Sequence, residues 1–307
     1  MNSTGSVLQT LVDRVRLLTD ETGSDRYEDK DLLEEFILPA WVCFWTDISM
    51  LDEDPILLAS TVSIIAGTDR YILPPIIGDI WALAMNSATT NARTHDWQKR
   101  NEWHSAGAGW RIEGNELVFQ PKPTTTEDWL LIYRPSGDCL PHVGSGTVVS
   151  STVITLAATP TLGSFDARDN AYVGLFLRTL EAGRVIQERV ISAFDAATRQ
   201  ATVRVAFTQS ASHLPADGAS VSYEVAFRVY QPQIQCLAAA AAMDMGAPGG
   251  FSMAKMQKLD HTYGKNLKAC RDHFGNLLVR HAKRFERLTY SNPYRNGVDA
   301  PVILGTQ

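Results

Sequence analysis

Apolar residues recur at helical spacing at the start of the chain: Val7, Leu8, Leu11, Val12, Val15 and Leu18, with Asp13, Arg14, Arg16 and Asp20 between them. This predicts an amphipathic helix of about four turns. The stretch ETGSDRYED, with Gly23, then predicts a polar turn. Asp29 is the candidate N-cap of a second helix, with Asp31, Glu34 and Glu35 near its positive end. Leu32, Leu33, Phe36, Ile37, Ala40, Trp41, Phe44 and Ile48 mark the buried side. Pro39 sits inside this pattern and removes a backbone donor, which predicts a kink or a break.

From Ser60 the period shortens. TVSIIAGTDRYILP predicts two short strands joined by a turn at Gly67, Thr68 and Asp69, ended by Pro74 and Pro75. IGDIWALAMN predicts a third strand. WRIEGNELVFQPKP predicts a hairpin across Gly114 and Asn115, with Ile112, Leu117 and Phe119 facing inward, and TEDWLLIYRP predicts another strand. The segment 143–227 is different. It is rich in Ser, Thr, Ala, Val and Gly, and its β-branched runs are spaced by turn clusters. That is the pattern of an independent β-sandwich or small barrel.

Helical character returns with YQPQIQCLAAAAAMDMG, which stops at Gly246. Pro248, Gly249 and Gly250 predict a hinge, and Ser252 is the N-cap of a final helix. Met256, Tyr263, Leu267, Cys270, Phe274, Leu277, His281, Phe285 and Leu288 recur every three or four residues. They predict a helix of roughly 35 residues, or about 50 Å. From Ser291 no period remains, and the tail reads as an extended arm.

Composition fits a globular protein of 307 residues, 45% hydrophobic and 20% charged. The net charge of −6 argues against a dedicated duplex-DNA binder. Its distribution is uneven. Residues 1–60 hold four basic and thirteen acidic side chains, a net of −9, whereas residues 255–295 hold ten basic and three acidic, a net of +7. Composition alone favours two solvated helix faces, and head-to-tail contact between copies is the alternative. Cys43, Cys139, Cys236 and Cys270 are scattered without a CxxC pair, so neither a zinc site nor a disulfide framework is expected. No apolar run is long enough to span a membrane, and MNSTGSVLQTLVDRV does not read as a signal peptide.

Candidate chemistry is sparse. The chain has no GxSxG, GxxxxGK[ST] or strand-borne GxGxxG motif, and GAPGG lies between helices. His273 and His281 share a helix face without a carboxylate at ligand spacing, and Asp52, Glu53 and Asp54 read as a solvated loop. No catalytic residue, cofactor or metal is therefore expected. All seven tryptophans lie between Trp41 and Trp129, a distribution that favours core and interfaces over carbohydrate stacking. The strongest basic-aromatic cluster is Lys283, Arg284, Arg287, Tyr290, Tyr294 and Arg295, suited to DNA phosphates or an acidic protein partner.

The segment RVRLLTDETGSDRYEDKDLLEEFILPAW resembles the head-to-tail adaptor (connector) proteins of tailed bacteriophages, through Arg16, Leu17, Leu18, Asp20, Arg26, Tyr27, Glu28 and Asp29. A hairpin motif comes next, with Val62, Gly67, Thr68, Tyr71, Leu73 and Pro74 at matching places. GNELVFQPKP, WLLIYRP and YQPQIQCLAAAAAMDMG continue the same order. The resemblance covers roughly residues 6–135 and 230–290. The chain departs from the family at Ile37, Leu38 and Pro39, and in carrying the segment 143–227, which compact members lack. That segment is itself similar to a β module of phage virion proteins, through Tyr172, Gly174, Gly183, Arg189, Ile191, Thr198, Ala201, Thr202 and Val203. Of these, Tyr172, Gly174 and Arg189 are the candidate docking residues.

The resemblance implies an α+β protein: a helical-bundle adaptor core with β-hairpins over 1–142 and 228–290, an inserted β-sandwich or barrel domain over 143–227, a long C-terminal helix, and an arm over 291–307. It implies a non-enzymatic structural protein of the virion, made in the host cytoplasm and seated at the head-tail junction. The expected partners are further copies of itself in a dodecameric ring, the portal protein, a tail tube or nozzle protein, and tail fibres. DNA would pass through the lumen without sequence-specific binding, and no membrane is involved. The alternative is a tail or fibre-attachment protein that docks through the β module.

Overall fold

A computed structural model of the chain describes residues 5–20, 26–50, 58–85, 109–136, 139–209, 214–247 and 250–289. Among them the fold is mixed α and β, with four helical runs and a closed six-stranded barrel. Two compact units form. One takes residues 1–53, 74–76 and 136–271, and the other takes residues 54–73, 77–135 and 272–307.

In the first unit the barrel runs β7 (His142–Ser150), β13 (Ser220–Ala226), β10 (Phe176–Glu181), β11 (Arg184–Asp195), β12 (Gln200–Val203), β8 (Val153–Thr155) and back to β7, all antiparallel. The short β9 (Leu162–Gly163) adds to β7 beside it. Alternation explains which residues point inward. His142, Gly144, Gly146 and Val148 of β7 are buried, and the first three pair in register with Val225, Tyr223 and Val221 of β13. Gly144 and Gly146 leave room for the Tyr223 ring. A Cβ on Gly144 would stand 2.9 Å from Tyr223 Oη, and one on Gly146 would stand 2.4 Å from the Thr155 carbonyl oxygen.

Helices cover one side of this barrel. Helix α1 (Val7–Thr19) buries Leu8, Leu11, Val12 and Val15, the stripe expected from spacing. The second run begins as α2 (Asp29–Asp31), continues as a π-helical stretch (Leu32–Ile37) and ends as α3 (Leu38–Met50). Of the kink or break expected at Pro39, the break does not occur. The Leu38 N–H donates to the Leu33 carbonyl five residues back, so the widened turn carries the helix across a residue that has no donor. The N-cap also differs from expectation. It is Glu28, whose N–H donates to Asp31 at 3.2 Å. Asp29 is instead drawn to Arg16, at 2.6 Å. Helix α4 (Gln231–Gly246) and helix α5 (Met253–Thr289) form where predicted, Leu267 and Cys270 of the α5 stripe are buried, and the Lys255 N–H donates to Ser252 Oγ at 3.3 Å.

Segment 143–227 shares a core with the helices of the first unit. Trp41 of α3 stacks on Phe227 just after β13, with ring centroids 3.5 Å apart. Ser164 Oγ donates to Glu34, and a Cβ on Gly163 would meet Leu33 Cδ2 at 3.1 Å. Cores joined this way cooperate rather than fold as beads.

The second unit holds two three-stranded sheets. One orders β1 (Leu58–Ile64), β6 (Glu127–Pro135) and β3 (Ile77–Met85), and the other orders β2 (Arg70–Ile72), β5 (Glu116–Gln120) and β4 (Gly109–Glu113). Their shared core is Ile64, Leu73, Ile80, Leu117, Phe119, Leu131 and Tyr133, flanked by Tyr71, Trp110, Ile112 and Trp129. The hairpin at Gly114 and Asn115 forms as read, with β4 paired to β5. The strands flanking Gly67 do not form a hairpin. β1 pairs with β6 and β2 pairs with β5, so the chain crosses from one sheet to the other at that turn.

Candidate interaction surfaces

The crossing turn gathers the hairpin-motif residues. Gly67 takes φ +79°, which a side chain would resist, and its N–H donates to the Pro123 carbonyl at 2.7 Å. Tyr71 closes the turn from within. Its hydroxyl accepts from the Ile65 N–H at 2.7 Å and lies 3.0 Å from the Ile65 carbonyl and 3.2 Å from that of Thr68. Leu73 enters the core and Pro74 is half-buried. Around the turn, Arg70 pairs with Glu113 at 2.9 Å and Glu116 at 2.7 Å, and Lys122 pairs with Asp69 at 3.2 Å. Hydrogen bonds that Arg70 donates to Glu116 and Glu113 raise its pKa, and Lys122 lowers that of Asp69. The motif therefore builds a corner between sheets.

The β-module residues have internal roles. Tyr172, expected at a docking surface, is a core residue. It is fully buried, its hydroxyl accepts from the Asp166 N–H, and its ring meets His142 and Phe194 at 5.0 and 4.7 Å. Burial pushes its phenol pKa up. Gly174 serves the backbone, at φ +88° in the turn that feeds β10. Arg189 is partly buried and donates to the carbonyls of Ala206 and Glu188 and to Gln187 Oε1. Beside it, Gln187 binds both backbone groups of Thr208, at 2.8 and 2.9 Å, and so holds the segment after β12 in place.

Of the C-terminal cluster, Lys283, Arg284 and Arg287 fall on helix α5. Tyr290, Tyr294 and Arg295, with the arm 291–307, lie outside the described residues. So do Trp97, Trp103, the acidic run at 52–54 and the Pro248 and Gly249 positions of the hinge. Trp41 and Trp45 are buried on α3, where they pack with Phe44 in an aromatic cluster rather than a stacking platform.

Sequence reasoning missed the polar group beneath α1. Glu224 is fully buried, and its Oε1 accepts from Ser6 Oγ at 2.6 Å and from the Leu8 N–H at 2.8 Å. Its other oxygen accepts from Arg178 at 3.2 Å, and Arg178 also donates to Glu188 at 2.7 Å and to the Phe227 carbonyl at 3.2 Å. The available signal was a lone Glu within the otherwise β-type run SVSYEVAF. A carboxylate at a helix N-terminus satisfies orphan donors and the dipole together.

Where α3, α4 and α5 meet, Tyr263 Oη donates to Asp47, and Cys236 Sγ lies 3.8 Å from the Tyr263 carbonyl. Burial pushes the thiols of Cys236 and Cys270 up, Cys270 to about 12. Both are protonated at neutral pH and unactivated. Among the described residues no group of three or more His, Cys, Asp or Glu is placed to hold a metal ion. None of their helices is long and apolar enough to cross a membrane.

The helical surface is electrostatically divided. Arg14 is spent on Gln235 at 2.8 Å and Arg16 on Asp29 and the Tyr27 carbonyl. Asp13, Glu28 and Glu35 remain exposed, while Lys258, Lys265 and Lys268 are exposed on α5. No family model matches the chain, and no curated protein matches it.

Proposed function

We propose that this chain is a head-to-tail adaptor of a tailed bacteriophage, a structural protein that forms a ring between the portal and the tail tube or nozzle. The observation that carries this reading is the order of elements. An amphipathic helix, an acid-capped second helix, the strands crossing at Gly67 to Pro74, the β4–β5 hairpin, β6, an Ala-rich helix and a long final helix match the order of the adaptor motifs. The final helix has 37 residues, about 55 Å, a length suited to reaching a neighbouring ring. The helical-bundle core, the twelvefold ring and the place at the head-tail junction of the virion belong to this proposal.

In this reading the barrel is an outward elaboration, able to meet tail fibres or a neighbouring ring. A net charge of −6 suits a channel wall along which DNA slides without being gripped. Electron microscopy of the purified chain, alone and mixed with its cognate portal protein, tests the proposal. Twelvefold rings that stack coaxially on the portal are expected. Trimers or hexamers that ignore the portal would favour a tail or fibre-attachment protein, and a monomer under all conditions would overturn the ring.

A further inference from the structure

Two helical faces of opposite sign sit on the first compact unit. The acidic face spans α1 and the second helical run. Gln9 Nε2 ties the two together by donating to Asp13 at 3.0 Å and to Asp29 at 3.3 Å. Glu28, Asp31 and Glu35 extend it at spacings of three and four. The basic residues nearby are committed or peripheral: Arg16 to Asp29, Arg14 to Gln235, Lys30 to Glu34 at 4.0 Å, and Arg26 over the Tyr27 ring. The basic face lies on the first half of α5. Lys258, Lys265 and Lys268, with His261 between them, recur at spacings of three and four and are exposed, while Leu259, Leu267 and Cys270 face the core. Asp260 and Asp272 flank this row. Lys255, by contrast, is consumed by Asp20 at 2.7 Å.

The acidic row is the shorter of the two. Lys258 to Lys268 is about 15 Å along a helix, and Glu28 to Glu35 is about 10 Å. Like-charged side chains in such a row repel one another until an opposing row neutralises them. The two rows differ in sequence and lie on different helices. A contact between them is therefore heterologous, and repeated contacts of that type close a ring or propagate a filament.

We infer that the Lys258, Lys265 and Lys268 face of α5 docks on the Asp13, Glu28 and Glu35 face of a second copy of this chain. The inference rests on the ring reading above and names the surfaces that would join neighbours. Exposed charges of this kind govern partner choice and register, and salt screens them.

Paired charge reversals test it. One chain carries Asp13→Lys, Glu28→Lys and Glu35→Lys, making both faces basic. The other carries Lys258→Glu, Lys265→Glu and Lys268→Glu, making both acidic. Association is read by mass photometry and sedimentation, with circular dichroism to confirm folding. Wild-type association is expected to weaken at least tenfold between about 50 and about 500 mM NaCl. Each reversed chain alone should stay monomeric at low salt, and an equimolar mixture should assemble, because basic faces then alternate with acidic ones. Assembly of either reversed chain alone at wild-type strength overturns the inference, as does a mixture of folded chains that stays monomeric. Should the reversals not fold, Glu35→Gln and Lys265→Gln should each weaken association severalfold, and unchanged association by both overturns it. Rings that form regardless of salt and reversal sink this inference alone, whereas a wild-type chain that never associates sinks the ring reading with it.

Discussion

Arg178 and Glu224 stand directly opposite each other on β10 and β13, joined at 3.2 Å with neither side chain open to water, and the same carboxylate receives the first turn of α1. The pair couples barrel to helix. Removing one partner strands the other in a site that water does not reach. Glu224→Ala is therefore expected to cost about 3–5 kcal/mol in urea unfolding, and Arg178→Ala a similar amount. The Glu224 change should also raise amide exchange at the start of α1, because the Leu8 N–H loses its acceptor. A loss below about 1 kcal/mol would show that the pair is not a structural link.

Two glycines separate backbone strain from crowding. Both Gly67 and Gly163 take φ +79°. A Cβ at Gly67 meets nothing within 4 Å, whereas one at Gly163 would stand 2.4 Å from the Pro141 carbonyl oxygen. Gly67→Ala should cost about 1–2 kcal/mol from conformation alone. Gly163→Ala adds a collision with backbone that cannot rotate away, and should cost more than about 3 kcal/mol. Equal midpoint shifts for the two variants in denaturant unfolding would refute the crowding argument.

Periodicity made the helices legible. The stripe of α1, the Ala-rich run of α4, the extent of α5 and the Gly114 and Asn115 hairpin are local patterns, and the chain obeys them. The features that escaped notice depend on partners distant in sequence. The closure of the barrel needs β7 to find β13, where Ser145 pairs with Ser222, and neither run names the other. β2 leaves β1 because Tyr71 pairs with Leu117 of β5 in the second sheet, although the turn between β1 and β2 reads as an ordinary hairpin turn. Tyr172 and Arg189 look like docking residues in one dimension. Their hydrogen-bond partners, Asp166 and Ala206, become visible only when the chain is folded. Pro39 reads as a break because the remedy, a bond from Leu38 to Leu33, is a rare local geometry.

Tyr71 holds the corner at Gly67 with one hydroxyl. Tyr71→Phe keeps the ring against Phe119, 5.7 Å away, and removes only the bonds to Ile65 and Thr68. Because that hydroxyl sits near solvent, water can replace part of the lost bonding. The expected cost is about 1 kcal/mol, with faster amide exchange at Ile65. Tyr71→Ala also removes the ring and should cost about 3 kcal/mol or more. A Phe variant as costly as the Ala variant would place the whole contribution in the hydroxyl.

The arm 291–307 bears on the proposed adaptor role. It carries Tyr294 and Arg295 and no helical period. Its deletion is expected to weaken binding to the cognate portal protein at least tenfold in a pull-down or by interferometry, while ring formation is retained. Unchanged portal affinity would mean that the arm is not the portal contact.

His142 gives the barrel a defined acid response. It is fully buried among Phe165, Tyr172 and Tyr223, with Nδ1 3.3 Å from the Leu140 carbonyl and no partner for Nε2. Burial pulls its pKa down to about 4, against a smaller upward pull from that carbonyl. In the unfolded chain the imidazole titrates near its ordinary value of about 6.5. Above that value it is neutral in both states and contributes no pH dependence. Between about 6.5 and 4 the unfolded chain binds the proton and the folded chain does not, so stability falls as the pH falls. From pH 7 to pH 4.5 the loss from this residue should be on the order of 2–3 kcal/mol. Urea unfolding of the wild type and of His142→Leu across that range isolates it, since carboxylates common to both chains cancel in the difference. The wild type should lose that much more than the variant, and parallel pH curves would show that the imidazole is protonated in the folded barrel.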